Sequence, residues 1–428
     1  MTTDSSNIQD NIPRESVQAQ PNDSQPNAES ITAQTASAGK HYYAFLIAYL
    51  VVLSALGSFM NDMYTPALPG MCRFFNCPIS LAQLGMTMGM IGLGVGQFLL
   101  GPISDRYGRK PVLAASLLLF IGAAVGSIWS PNIHIFNAWR FLQGCGAAGG
   151  YFLARTIPAD VTSGRSLARM MAIIGAINGI APASAPVIGG VTADAWGWRG
   201  IFILLAVFAG LILCFSKGLK ESLSPDRRTK GHWWTSIRGY GQLLTNRPFM
   251  IHVTFKGAAL GLLFSYISTS PFILQTHYGL SQTVYGCVIG FNALFVAAGS
   301  MTALRFHPLK RAAGVGASIV ACGTAAQAAA LWMVHSLWLF EVCIVVMLFG
   351  LGLIFATTNT LAMNEGRARA GEASAVLGIS GYIFGAIGAP LVGLGNILHS
   401  SAIVFVAFAI GIAVCAYGSH TVAPDLDK

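Results

Sequence analysis

The sequence predicts an all-α polytopic membrane protein of twelve transmembrane helices in two six-helix halves. Three observations predict it. Of 428 residues, 54% are hydrophobic and only 10% charged, against the roughly 25% charged residues with which a soluble chain keeps its surface wet. Beyond residue 40 the apolar stretches follow one another, each close to the roughly 20 residues a spanning helix needs. The bases also alternate. Twenty-one of the 25 Lys and Arg residues fall in the N-terminal tail, in every second loop and at the C-terminus; Arg73 and Arg199 fall in the intervening loops, and Arg140 and Lys256 within the apolar stretches. Short loops rich in Lys and Arg stay inside, so both termini are expected in the cytoplasm.

Taken in order, residues 1–40 are polar, rich in Ser, Gln, Asn and Pro. They hold too little apolar surface to offset the entropy of ordering and read as a disordered cytoplasmic tail. No cleavable signal precedes the first apolar run near Tyr42, which is of membrane length. Spans are expected near 42–66, 81–100, 112–129, 136–154, 170–190 and 200–216, then 249–272, 284–303, 314–334, 337–360, 373–394 and 401–418. Residues 217–248 form a long basic break with Pro225 and Gly231. They read as a cytoplasmic linker between an N-terminal half, 41–216, and a C-terminal half, 249–418, with a short tail at 419–428.

Composition excludes several functions. The net charge of +9 does not gather on one amphipathic face, so no nucleic-acid partner is expected. Eight cysteines without CxxC and nine histidines without HExxH predict no metal and no cofactor. Cys72 and Cys77 fall in the first external loop and read as two free thiols, although a loop would bring them within disulfide reach. No cluster of intramembrane His, Asp, Ser or Glu suggests an enzyme, and the helices carry too few charges for an open polar pore.

Particular residues carry the functional reading. Between helices 2 and 3 lies Gly101–Val112, GPISDRYGRKPV. It has the acid Asp105, the bases Arg106, Arg109 and Lys110, and the breakers Gly101 and Pro102. It reads as a tight cationic loop. Asp62 lies within or at the end of helix 1. A carboxylate inside a span is costly and is a functional candidate; the alternative is an acid among the headgroups at the outer helix end. Arg140 in helix 4 needs an anion, a carbonyl or water, and Asp62 is the expected partner; the alternative is snorkelling to the interface. Lys256 stands about two turns from the cytoplasmic end of helix 7, within snorkelling reach, and Glu341 near the outer start of helix 10 reads as interfacial. Gln143, Asn178, Asn292 and Asn359 are candidate polar contacts of a substrate cavity, with Tyr151, Tyr266, Phe291 and Tyr382 as its aromatic surface. Helix–helix hydrogen bonding serves each Asn equally well, and packing each aromatic.

The Gly101–Val112 run closely resembles the signature loop of the major facilitator superfamily of transporters. The run DMYTPALP from Asp62 to Pro69 resembles the helix 1 motif of that superfamily's bicyclomycin-resistance (Bcr/CflA) drug-efflux branch. RFLQG from Arg140 is similar to the helix 4 motif, and Pro182, Pro186, Gly189 and Gly190 resemble the antiporter motif of helix 5, with Ala185 where Gly is usual. The resemblance extends through Tyr266–Phe272, Gly290–Leu294 and Gly371–Ala375. It implies the major facilitator fold and a monomeric, proton-driven antiporter in a bacterial inner membrane. Such a protein exports small amphipathic drugs or toxic compounds by alternating access, with the proton as coupling ion; the alternative is an exporter of a sugar or amino-acid derivative. It further implies Asp62 and Arg140 as proton-coupling residues. Gly101, Asp105, Arg106, Gly108 and Arg109 then form a gate, in which Asp105 contacts the start of helix 11 near Gly371 and Glu372 and holds the cytoplasmic side closed in the outward-facing state.

Overall fold

The computed structural model describes residues 40–228, 241, 243–334, 336–367 and 370–422. The expected tails fall outside the described residues at 1–39 and 423–428, and the expected linker at 229–240 and 242. Among the described residues there are helices and no strands. They are α1 (Lys40–Asp62), α2 (Ile79–Tyr107), α3 (Arg109–Ile128), α4 (Ile133–Val161), α5 (164–196), α6 (198–215), α7 (Arg247–Pro271), α8 (Gln282–Ala303), α9 (Leu309–Ala329), α10 (Leu337–Glu365), α11 (Ala370–Leu391) and α12 (Ile397–Val422). The helical run Gly164–Phe215 divides into α5 and α6 at Gly197, whose φ of 67° and ψ of −176° leave helical geometry and suit a residue without a β-carbon.

Nine stretches among the described residues are long and apolar enough to cross a membrane, Gly164–Gly218 counting as one. α4 falls short because Asn137, Arg140 and Gln143 interrupt its apolar run, and α11 holds only the shorter apolar helix Val376–Leu391. The chain is therefore a multi-pass membrane protein.

In lipid there is no hydrophobic drive between helices, so close packing through small residues holds them together. Gly92 of α2 sits against the Phe141 carbonyl of α4, and a β-carbon on Gly146 of α4 would stand 2.6 Å from the Phe120 nitrogen of α3. The first six helices close around one apolar core that includes Leu50, Leu53, Phe120, Phe136 and Phe202. The last six close around another that includes Phe255, Tyr266, Phe340 and Phe405. The two groups touch mainly where α2 meets α11 and α5 meets α8.

Those contacts are uneven along the helices. The face carrying the α2–α3 junction is here the loop face. On the opposite face the halves are sealed. Gly190 sits against the Gln282 carbonyl and Gly286 against the Pro186 carbonyl. Asp194 caps the start of α8, accepting from the Thr283 backbone N–H at 2.9 Å and its hydroxyl at 2.6 Å. Gln83 of α2 donates to the Ser268 carbonyl at 3.1 Å, and Gln275 to the Pro66 carbonyl at 2.8 Å. Toward the loop face the halves part. Gly175 and Gly179 continue the stripe of α5 that includes Ala183, Pro186 and Gly190, yet a β-carbon on either would meet nothing within 4 Å.

The signature run differs from the expected loop. α2 continues through Gly101 and Pro102 to Tyr107, and α3 starts at Arg109. Gly108 alone links them, with φ 99°, a conformation costly for any residue with a side chain.

Candidate functional site

Asp62 lies where α1 breaks. A helix would give its carbonyl the N–H of residue 66, but that residue is Pro66, which has none. The Thr65 hydroxyl donates to the Asp62 carbonyl instead, at 2.8 Å, and the chain passes through the 3₁₀ turn Thr65–Ala67 into a short helix, Leu68–Phe75. The whole span is Tyr42–Phe75, so Asp62 lies inside it and not at its end, and is 8% exposed. Its Oδ1 accepts from the Asn61 amide at 3.3 Å. α7 repeats the device: Pro271 cannot serve the Ile267 carbonyl, and the Ser270 hydroxyl does so at 3.1 Å. Broken helices at corresponding positions of two halves are the usual mark of a transporter's binding site.

Asp62 lines a cavity of about 170 Å³ between the halves. Asn61 and Met60 of α1, Leu93 of α2, Tyr151 of α4, Phe264 and Ile267 of α7 and Tyr382 of α11 surround it, with Pro182 of α5 at its side. It is smaller than the roughly 300–1,000 Å³ of a drug-sized site.

Arg140 is fully buried one layer behind. Its guanidinium donates to Gln143 Oε1 at 2.5 Å, the Met60 carbonyl at 3.1 Å and the Gly85 carbonyl at 3.4 Å, and lies 4.2 Å from the centre of the Tyr64 ring. The expected partnership with Asp62 is not formed in this conformation. Among the described residues, ion pairs join only Arg109 with Asp105 and with Asp160. Carbonyls freed by the break in α1, and the Tyr64 face, satisfy the cation instead.

The other expected cavity residues divide. Tyr151 and Tyr382 line the cavity. Gln143 is spent on Arg140. Asn178 is half-buried with its Oδ1 unpaired. Asn292 donates to the Tyr266 hydroxyl at 2.8 Å and to Glu341 Oε2 at 2.9 Å; Glu341, near the start of α10, is thus hydrogen-bonded to α8. Phe291 is 56% exposed and packs on Phe295. Asn359 accepts from the Lys256 ammonium at 2.9 Å. Pro186, Gly189 and Gly190 of the antiporter motif sit in close contacts, Gly189 against the Met63 carbonyl.

In the signature run Arg109 is the hub. It donates to Asp105 Oδ1 at 2.5 Å, Ser104 Oγ at 2.7 Å and Asp160 Oδ2 at 2.8 Å, while its backbone N–H and that of Lys110 donate to Glu221 at 2.9 and 3.1 Å. In this conformation Asp105 binds its own run; the contact with the start of helix 11 is expected of the outward-facing state, and the Glu372 side chain lies outside the described ones. Arg106 is exposed, its charge 5.6 Å from the centre of the Tyr107 ring. Sequence reasoning missed Asp160 and Glu221, two acids standing among bases at the ends of α4 and α6. Cys72 and Cys77 are unbridged, and no group of metal-ligating side chains occurs among the described residues.

Comparison with known proteins places this geometry. An uncharacterized MFS-type transporter of Bacillus subtilis, YdgK, is 34% identical over 86% of this chain and 93% of its own length. Multidrug resistance protein D of Escherichia coli is 26% identical over 78% of this chain and 84% of its own. A chloramphenicol resistance protein of Pseudomonas aeruginosa is 29% identical over 60% of this chain and 59% of its own. The E. coli xylose transporter XylE, in a partially occluded inward-open conformation, superposes with a TM-score of 0.71 at 13% identity, covering 91% of this chain and 99% of its own; that likeness concerns the fold alone. The profile of the Major Facilitator Superfamily matches residues 50–389, and with that match spanning most of the described helices, the chain belongs to the Major Facilitator Superfamily, whose members are transporters and not enzymes.

Proposed function

We propose that the chain is a proton-driven antiporter that exports small amphipathic drugs or toxic compounds from a bacterial cytoplasm by alternating access. The observation that carries the reading is the Asp62 carboxyl. It is buried, unpaired with any cation among the described residues, and faces the cavity between the halves. Such a group binds a proton or a substrate in turn, because a lone carboxylate is costly inside the membrane. Drug efflux is supported by relatives whose names are those of multidrug and chloramphenicol resistance proteins. With the basic loops inside, the loop face is cytoplasmic, and the sealed opposite face makes this the inward-open form. Arg140 braces the break beside Asp62, so a change of charge there reaches α4 through the Met60 carbonyl and Tyr64. The hub at Arg109 ties α2 and α3 to the ends of α4 and α6, so the first half moves as one body, and the contacts along α5 and α8 are the seal that opens.

Cells expressing the chain test this directly. They should accumulate less of a small amphipathic drug or dye than cells without it, and a protonophore should abolish the difference. Unchanged accumulation across the drug panel would overturn the reading in favour of a metabolite substrate.

A further inference from the structure

Beneath the cavity, on its cytoplasmic side, each of two flanking helices carries a cation. Arg155, one turn beyond Tyr151 in α4, lays its guanidinium 4.1 Å from the centre of the Tyr151 ring and donates to the Tyr151 hydroxyl at 2.5 Å. The guanidinium is exposed to the cleft, and its position is set by the ring beneath it. Lys256 of α7 approaches from the other half. Its ammonium donates to the neutral amide oxygen of Asn359 in α10 at 2.9 Å, and it stands two to three turns before Leu263 and Ile267 of the cavity wall, on the same face of α7. Neither cation pairs with a carboxylate among the described residues, where ion pairs are confined to Arg109 and its two acids. Tyr382 of α11 forms the cavity wall with Tyr151. Residues from α4, α7, α10 and α11 thus form a polar ring in which both formal charges are positive.

Two like charges drawn together inside a membrane protein repel, and the repulsion is stronger than in water because the surroundings polarise less. An anion seated between them removes the repulsion and gains charge-assisted hydrogen bonds from both. The guanidinium needs no reordering to receive it, since the Tyr151 ring already fixes its plane. Above the ring the cavity wall is largely apolar, with Met60, Leu93, Phe264 and Ile267.

We infer that the transported compound carries an anionic group, a carboxylate, sulfonate or phosphate, which is bound between Arg155 and Lys256 while its apolar body points into the cavity toward Asp62. The inference rests on the cavity being the transport site and narrows the substrate to acidic amphipaths. A permanent cation of the same shape is disfavoured by the same pair of charges.

Binding of two xanthene dyes of similar shape tests it, by fluorescence anisotropy on the purified chain in neutral lipid: fluorescein, an anion, and rhodamine 123, a cation. The wild type should bind fluorescein more tightly by about tenfold or more, the equivalent of one charge-assisted hydrogen bond. Lys256→Met should weaken fluorescein by a similar factor without weakening rhodamine 123, and Lys256→Arg should restore it. Tighter binding of rhodamine 123, no binding of fluorescein, or an equal loss of both dyes in Lys256→Met would overturn the inference. Proton flux separates it from the transport reading. If fluorescein binds as stated but moves no protons, proton-driven export fails and the anion site stands. If rhodamine 123 alone drives proton flux, export stands and the anion site fails.

Discussion

Gly290→Ala is a small change at a crowded place. Gly290 of α8 faces the Ala183 carbonyl of α5, and a β-carbon there would stand 2.6 Å from that oxygen, where ordinary contact begins at 3.4 Å. The neighbour is backbone, so no rotamer change relieves the overlap, and α5 and α8 must part by about 0.8 Å. Overpacking of this kind costs about 1–3 kcal/mol. The cost falls on the sealed form, because the proposed outward-open form separates these helices. A bias of that size shifts the balance between the two forms by about 5- to 150-fold. Ser268→Cys supplies the reporter: Ser268 is fully buried at the seal, its hydroxyl is unpaired, and its carbonyl holds Gln83 of the other half. In a background without native cysteines, labelling of this position by a membrane-impermeant maleimide should accelerate at least fivefold when Gly290→Ala is added. An unchanged labelling rate in a folded double variant would refute the idea that the α5–α8 contact is the seal.

The remaining predictions concern the first half. Arg140→Lys keeps the charge but loses the fork that reaches Gln143, Met60 and Gly85 together; each carbonyl left unmet costs about 1–3 kcal/mol, so the unfolding temperature in detergent should fall, and an unchanged temperature would contradict the bracing role. Thr65→Val removes the donor that replaces the missing Pro66 N–H and should cost about 1 kcal/mol in the same assay, whereas Thr65→Ser should be near neutral. Asp160→Asn should shorten the half-life in detergent more than Asp105→Asn, because the Asp160 side chain is 9% exposed and that of Asp105 46%; the reverse order would displace Asp160 from the hub. If Asp105 also gates by reaching α11 in the outward-open form, Asp105→Asn should lower transport; full transport would sink that role.

The helical rods were legible because membrane length and the alternation of bases are written in composition, and DMYTPALP and the Arg109 run were legible because breakers and charges stand out against apolar sequence. What was not legible depends on pairing across the fold. For Asp62 the sequence left both a place within helix 1 and one at its outer end open, because the 3₁₀ turn after it hides the continuation of the apolar stretch to Phe75. Arg140 was matched to Asp62 as the nearest opposite charge, yet the break in α1 frees carbonyls that serve it as well. Counting placed Glu341 near the outer start of helix 10, but could not show that Asn292 of α8 meets it there. Asp160 and Glu221 carry no local motif; only the meeting of helix ends makes them partners of Arg109. Gly175 and Gly179 share a stripe with Gly190, and no sequence pattern separates the glycines that seal from those that face an open cleft.

The central claim is that proton binding at Asp62 drives export, and everted vesicles with an acidified lumen and a fluorescent pH reporter test it most directly. The acidic lumen of such vesicles stands for the outside of the cell. Adding a transported drug to wild-type vesicles should release lumenal protons, and vesicles bearing Asp62→Asn at equal expression should release none. Equal proton release by the variant would contradict the account and place the coupling site elsewhere.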